Sequence, residues 1–512
     1  MPRHNLSLSD SESVNSDNDE TYPIPSETIY SGLVLKNEYI LLKEIGYGNN
    51  ASVWMSYRIP DQTYLAIKIQ NEQCYKDGCR EVIIIEKINN FCKESKENIY
   101  CVKMLDFFVY EEDDNIKYVC SVYDLYGGCI NTLLCSGIYK YGLPVPIVKT
   151  IIRQLLTALA TLHGKLNIIH TDIKPDNILF KGTPQFHEDI IKLFEESDFQ
   201  VKYKTLSKTY KQSDSQFTEE LEFLAMQTVF GMSEIEILNR RNEEFIPDKD
   251  DDSELVEGED DDSELSSLSD SDSDDENDDD SEETEGDYKF NERDQSIDDT
   301  IDAADYSGMH NLDKDGDYDF ISVLNNRENT TDTKMIINDK YVQNCQTALT
   351  DFGNSYFFHK RTKNEIQDRH YRAPEVILDF NYTYACDIWS VGCVAFELLT
   401  GYILFDPDDA PVNKDISHLY LMEKNLGTIP IKMKKTSKRS KFLFDKKRNY
   451  HIKNIEPFKH YSLKQKLINQ FLFDPREAEN INDFLMCCLC YEQTERHTAT
   501  ELLSHPWLNK KD

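Results

Sequence analysis

The stretch Ile169-His170-Thr171-Asp172-Ile173-Lys174-Pro175-Asp176-Asn177-Ile178-Leu179 sets a carboxylate, an ammonium and an amide in one short polar loop between apolar ends. Upstream, residues 147–162 carry apolar side chains at helical spacing, and residues 39–45, 52–57, 64–69 and 118–123 read as strands. That order predicts an α+β chain of two lobes, a small sheet-rich one leading into a helical one that runs from about residue 147 through the loop. Downstream, residues 183–340 turn polar and acidic, and apolar helical periodicity resumes at Tyr341 and continues to the end. Four regions result. Residues 1–36 are expected to be a disordered Ser- and Asp-rich tail; 37–182 the small lobe and the start of the large one; 183–340 an acidic spacer; 341–512 the rest of the large lobe.

The 512 residues carry a formal net charge of −38. Most of it is local: residues 248–287 hold 23 Asp and Glu against the single Lys249, a net of −22 that leaves −16 for everything else. Nucleic acid is therefore not expected as a ligand. The acid run reads as a solvated spacer held open by self-repulsion, or alternatively as a docking arm for a basic protein. The first twenty residues lack an apolar signal-peptide core, and the apolar stretches 82–85 and 388–399 are too short to span a bilayer, so no membrane association is expected. The scattered cysteines point to a reducing compartment, hence cytoplasm or nucleus; Cys487, Cys488 and Cys490 fit a core helix better than a metal site.

Further motifs bear on chemistry. Ile45-Gly46-Tyr47-Gly48-Asn49-Asn50-Ala51-Ser52-Val53 lies between two strand-like runs; a glycine pair there marks a hairpin, or a loop whose backbone must approach phosphate closely. Ala66-Ile67-Lys68 follows on the next strand, and Glu81 opens an apolar helical run, with Glu86 as a second choice of carboxylate. Asp351-Phe352-Gly353 resumes the ordered chain after the spacer. Ala373-Pro374-Glu375, Asp387-Ile388-Trp389-Ser390, Arg496 and His505-Pro506-Trp507 follow in that order.

Together these resemble the eukaryotic protein kinases, with Ala51 where the third loop glycine is usual. The resemblance implies ATP and Mg²⁺ as cofactors and assigns roles residue by residue. Ile45 to Val53 cover the nucleotide; Lys68, paired with Glu81, holds its phosphates; Asp172 orients and deprotonates the acceptor hydroxyl; Lys174 neutralises the γ-phosphate; Asn177 and Asp351 hold magnesium. Glu375 is expected to pair with Arg496, and Asp387 to prop the catalytic loop. A pseudokinase or a scaffold displaying its acidic insert is the competing class, disfavoured because Lys68, Asp172, Asn177 and Asp351 are all present.

Within the family, Thr171 stands where most kinases have arginine, as in the SR-protein and LAMMER kinases, both of which act on Arg/Ser-rich proteins. Residues 369–378 (RHYRAPEVIL) and 418–427 (HLYLMEKNLG) look LAMMER-like, whereas residues 365–372 (EIQDRHYR) and 440–447 (SKFLFDKK) are similar to SR-protein kinases. The long spacer between Asn177 and Asp351 favours the SR-protein kinases. Asp368 departs from both families, which have threonine there. The resemblance implies a monomer acting on an Arg/Ser-rich protein, with Asp408, Asp409 and Asp415 as candidate docking carboxylates. It also implies activity without phosphorylation of the activation segment, since neutral Thr171 cannot bind a phosphate as arginine does.

Overall fold

The computed structural model describes residues 30–48, 50–111, 116–134, 139–182, 185–243, 345–360, 365–407, 413–456 and 458–509. Two compact units are present, residues 1–235 with 304–512, and residues 236–303; of the second, only the end of one helix is described. Both lobes belong to the first.

Six antiparallel strands form the small lobe: β1 (Val34–Leu35), β2 (Tyr39–Tyr47), β3 (Ala51–Arg58), β4 (Thr63–Gln70), β5 (Met104–Glu111) and β6 (Lys117–Asp124), in spatial order β1-β2-β3-β4-β6-β5. Four of them extend the strands read from alternation by one or two residues at most ends. Residues 104–111 escaped that reading because their buried and half-exposed positions do not alternate cleanly. One face of the sheet packs Tyr39, Leu41, Trp54, Leu65, Ile67 and Ile69 into a core of its own. That core also takes Tyr30 and Leu35, so the predicted N-terminal tail becomes ordered before its expected end at residue 36.

The opposite face is shared. The helix α1 (Tyr75–Ser95) covers the β4–β6 side through Val82, Ile85 and Ile88, packed with Ala66 and Val119. On β2 and β3 the inward residues Ile40, Leu42, Met55 and Tyr57 point the same way, because Met55 is the cross-strand partner of Ala66. Three helices from the predicted spacer cover them: α3 (Gln185–Glu196), α4 (Phe199–Thr209) and α5 (Ser215–Glu243). This corrects the expectation that the acidic spacer begins at 183. Ile190 and Phe194 lie one turn apart, and Phe217, Leu221, Leu224, Ala225 and Val229 form an apolar stripe at helical spacing, all buried. Averaging those stripes with the acid run 248–287 hid them. That run and the rest of 244–344 lie outside the described residues.

The large lobe is built on α2 (Val145–Thr161) and α6 (Ala385–Thr400). By length and composition alone the span Val145–Leu166 is apolar enough to cross a membrane. Its buried apolar residues, from Val148 to Leu166, instead pack in the main hydrophobic core, as a core helix of this composition does. Every residue of α6 from Cys386 to Thr400 is buried. Gly392 lets that helix meet α8 (Pro475–Cys488) closely, since a Cβ there would lie 2.8 Å from the Cβ of Cys488. Between the lobes, the strands β7 (Tyr126–Cys129), β9 (Ile178–Lys181) and β10 (Thr347–Leu349) form one small sheet, and β8 (Ile168–Ile169) pairs with β11 (Tyr356–Phe357). These two ladders bring residues 172–177 beside residues 351–357 across the long insert.

Candidate active site

Lys68 lies on β4 opposite Val53 and Ser121. Its ammonium donates to both oxygens of Glu81 at 2.9 and 3.0 Å and to Asp351 Oδ1 at 2.9 Å. Glu81, from α1, is 2% exposed and also accepts from Gln70 Nε2 at 2.7 Å and from the Phe352 N–H at 3.2 Å. A carboxylate so buried stays ionised only with such partners. Burial pulls the Lys68 pKa down, but Glu81 and then Asp351 outweigh it and hold the ammonium above its usual range. Asp351 is held below the usual carboxylate range, chiefly by the Lys68 charge. Glu81 is thus the partner of Lys68, and Glu86, also on α1, takes no part.

The glycine segment closes a β2–β3 hairpin, with Gly46 opposite Val53, Tyr47 opposite Ser52, and the Gly48 N–H donating to Ala51 O at 2.9 Å. The hairpin does not itself require its glycines. Neither has a positive φ, and a Cβ would find only ordinary contact, 3.7 Å from Val53 at Gly46 and 4.0 Å from Ala51 O at Gly48. Their absent side chains keep the loop open to close approach from outside. Ile45 is half-buried, Tyr47 and Asn50 are exposed, and Ala51 is buried opposite Gln70. The Ser52 side chain is buried, its hydroxyl accepting from Trp54 Nε1 at 3.0 Å. Asn49 lies outside the described residues.

In the loop 170–177, the buried Asp387 carboxylate on α6 accepts from the backbone N–H groups of His170 and Thr171, both at 2.8 Å, and contacts His163 Nε2 at 2.9 Å. This holds Thr171 at φ +68°, an uncommon conformation for a β-branched residue. Asp172 follows, with its carboxylate Oδ2 accepting from Asn177 Nδ2 at 3.1 Å and lying 3.7 Å from Lys174 Nζ. Burial raises the Asp172 pKa, with Lys174 opposing. Asp172 and Lys174 line a cleft of about 260 Å³ together with Tyr356, Glu365, Asp368 and Arg372.

Neutral groups help to tie down the chain after Asp351. Thr171 Oγ1 donates to Asn354 O at 2.7 Å, and Ser355 Oγ to His170 O at 3.0 Å. Gln367, which sequence reading passed over, is buried at φ +68°. Its amide donates to Cys386 O and Ser390 Oγ and accepts from the Ala373 N–H at 3.0 Å. Only its place in the quoted motif hinted at this. Glu375 and Arg496 form a fully buried bidentate pair at 2.8 and 3.0 Å, as expected.

Asp415 differs from its expected role. It opens the helix α7 (Lys414–Leu426), and its carboxylate is engaged by Arg369 at 2.5 Å and Arg439 at 2.7 Å. Two guanidinium groups already satisfy it, so it is not available to dock an arginine-rich chain. Asp408 and Asp409 lie outside the described residues.

A carboxylate and an amide facing a lysine clamp under a glycine hairpin is the arrangement that phosphoryl transfer requires. The sequence model for the protein kinase domain matches residues 39–225 and 335–508, interrupted where the insert lies. The chain belongs to the protein kinase family. A "Putative serine/threonine-protein kinase" of Acanthamoeba polyphaga mimivirus is 55% identical over 94% of this chain and 89% of its own length. More distant relatives include protein kinase dsk1 of Schizosaccharomyces pombe, 26% identical over 92% of this kinase and 80% of its own length. Human SRSF protein kinase 3 is 24% identical over 93% and 87% respectively.

Proposed function

We propose that this kinase moves the γ-phosphoryl group of ATP to serine or threonine hydroxyls of proteins, with Arg/Ser-rich proteins as the preferred class. The observation that carries the reading is the closed set Glu81–Lys68–Asp351, with Asp172, Lys174 and Asn177 on the facing loop. The side-chain charges assigned to the triphosphate and the acceptor already lie within contact of one another.

Lys68, fixed by Glu81, presents one ammonium to the nucleotide phosphates. The hairpin glycines allow backbone N–H groups to come within hydrogen-bond distance of them. Asp172 receives the acceptor hydroxyl at the cleft and takes its proton; burial favours a carboxylate that can accept one. Lys174, beside it, neutralises charge on the group in transfer.

The donor set fits magnesium. Among the described residues no three His, Cys, Asp or Glu side chains cluster for a metal. An ion here would rest on one carboxylate, Asp351, one amide oxygen, Asn177, and the nucleotide's phosphates, which suits a hard cation that keeps few protein ligands. The Asn177 amide nitrogen is spent on Asp172, which leaves its oxygen for that role. Bound there, magnesium neutralises phosphate charge.

The Arg/Ser preference rests on similarity to the SRSF and dsk1 kinases. Matched Arg-Ser and Lys-Ser repeat peptides test it: KM is expected to be lower for the arginine series, and the advantage to shrink as salt screens the field beyond ~10 Å. Equal KM for both series would remove the substrate class and leave the kinase activity standing.

A further inference from the structure

We propose that Asp368 is a positioning residue for Lys174, the anionic link of a charge network that runs Asp172–Lys174–Asp368–His370–Asp406 from the acceptor site to the start of the segment before α7. The inference rests on the role given to Lys174 under the proposed function. Asp368 Oδ2 lies 3.3 Å from Lys174 Nζ, nearer than Asp172 at 3.7 Å. The ammonium is therefore held between a carboxylate of the catalytic loop and one of the activation segment. Asp368 is itself held from behind: its other oxygen accepts from the His370 N–H at 3.3 Å and lies 3.4 Å from His370 Nδ1. The far nitrogen of that ring lies 3.2 Å from Asp406.

Charge alternates along the whole line. Asp368 and then Asp406 push the His370 pKa up to about 10, so the imidazole is a cation at neutral pH. Its charge offsets that of Asp368, which therefore does more to place Lys174 than to make the cleft more negative. A threonine at 368, the residue found there in the resembled families, offers Lys174 a single neutral acceptor and cannot also hold a charged imidazole. The pair Asp368 and His370 fixes the ammonium before nucleotide binds, and orientation fixed in advance lowers the barrier rather than the binding constant.

The test is steady-state kinetics on a serine peptide with wild type, Asp368→Asn, Asp368→Thr, Asp368→Glu, Lys174→Met and the Lys174→Met/Asp368→Asn double variant. Asp368→Asn and Asp368→Thr are expected to lower kcat about tenfold, the worth of one ordering charge-assisted contact, with KM for ATP and peptide within about twofold of wild type. Asp368→Glu should recover part of the loss. Because Asp368 acts through Lys174, the double variant should be no slower than Lys174→Met alone; a role confined to folding would add its loss to both. Wild-type kcat in Asp368→Asn, or additive losses in the double variant, would overturn the inference while a crippled Lys174→Met left the active-site reading intact. Full activity in Lys174→Met would overturn both.

Discussion

Replacing Phe199 by alanine measures what the insert helices do for the small lobe. Phe199 is fully buried, and its ring centroid lies 5.2 Å from Phe194, 6.1 Å from Tyr57 on β3 and 5.9 Å from Tyr203. Truncating a buried phenylalanine costs ~3–5 kcal/mol through lost transfer energy and the cavity left behind. In a chain of this size that corresponds to a fall on the order of 5–10 °C in the thermal midpoint. Removing residues 190–335 is harsher. It bares Val34, Ile40, Leu42, Met55, Tyr57 and Ile59, and at ~1.5–3 kcal/mol for each large side chain the loss approaches the ~5–15 kcal/mol that holds a domain folded. That deletion should be insoluble or inactive, whereas deletion of 248–335 should preserve stability and turnover. Thermal unfolding followed by fluorescence, with activity measured after brief heating, reads all three proteins. A midpoint shift under about 2 °C for Phe199→Ala, or full activity in the 190–335 deletion, would refute the reasoning.

Lys68→Met, Asp172→Asn and Asp351→Ala should each lose ~10²-fold or more in kcat with folded circular dichroism spectra, because each removes one preorganised charge; near-normal turnover in any of them would end that residue's assigned role. Glu375→Gln leaves the buried Arg496 guanidinium without its anion and should destabilise the large lobe by ~3–5 kcal/mol, read as a lower unfolding midpoint. Enzyme made in bacteria and shown by mass spectrometry to be unphosphorylated should be fully active, since Thr171, Ser355 and Gln367 hold the activation segment with neutral hydrogen bonds; a need for an upstream kinase would contradict this. Burial lifts the Glu397 pKa to about 7, against the hydrogen bond from Tyr371. A carboxylate raised from the usual ~4.3 means that the folded state holds the extra proton between those values. Its contribution is present below the unfolded pKa and is lost as pH rises towards 7. Glu397→Gln should accordingly gain stability relative to wild type between pH 5 and 8, by up to about 3 kcal/mol; a pH-independent difference would refute the assignment.

Residues 169–179 announced the site because catalytic loops concentrate their chemistry in consecutive residues, and local spacing survives without knowledge of the fold. Four strands of the small lobe and α2 were legible for a related reason: alternation and helical spacing are short-range signals. Asp415 shows the limit. Its carboxylate belongs to Arg369 and Arg439, partners 46 residues before it and 24 after it, and no local pattern pairs them. Gln367 was likewise invisible, because a neutral amide at positive φ becomes an anchor only when Cys386 and Ser390 arrive from α6. The helices α3, α4 and α5 were legible in principle, residue by residue, and were lost when composition was averaged over an acidic insert.

Whether this chain is a serine kinase of Arg/Ser-rich proteins is decided by transfer of label from γ-³²P-ATP to such a protein in the presence of magnesium, followed by phosphoamino-acid analysis, with Asp172→Asn as blank. Magnesium-dependent label on serine that the blank lacks is the predicted result. No label from a folded wild-type enzyme on any protein substrate, or the same label from Asp172→Asn, would contradict it.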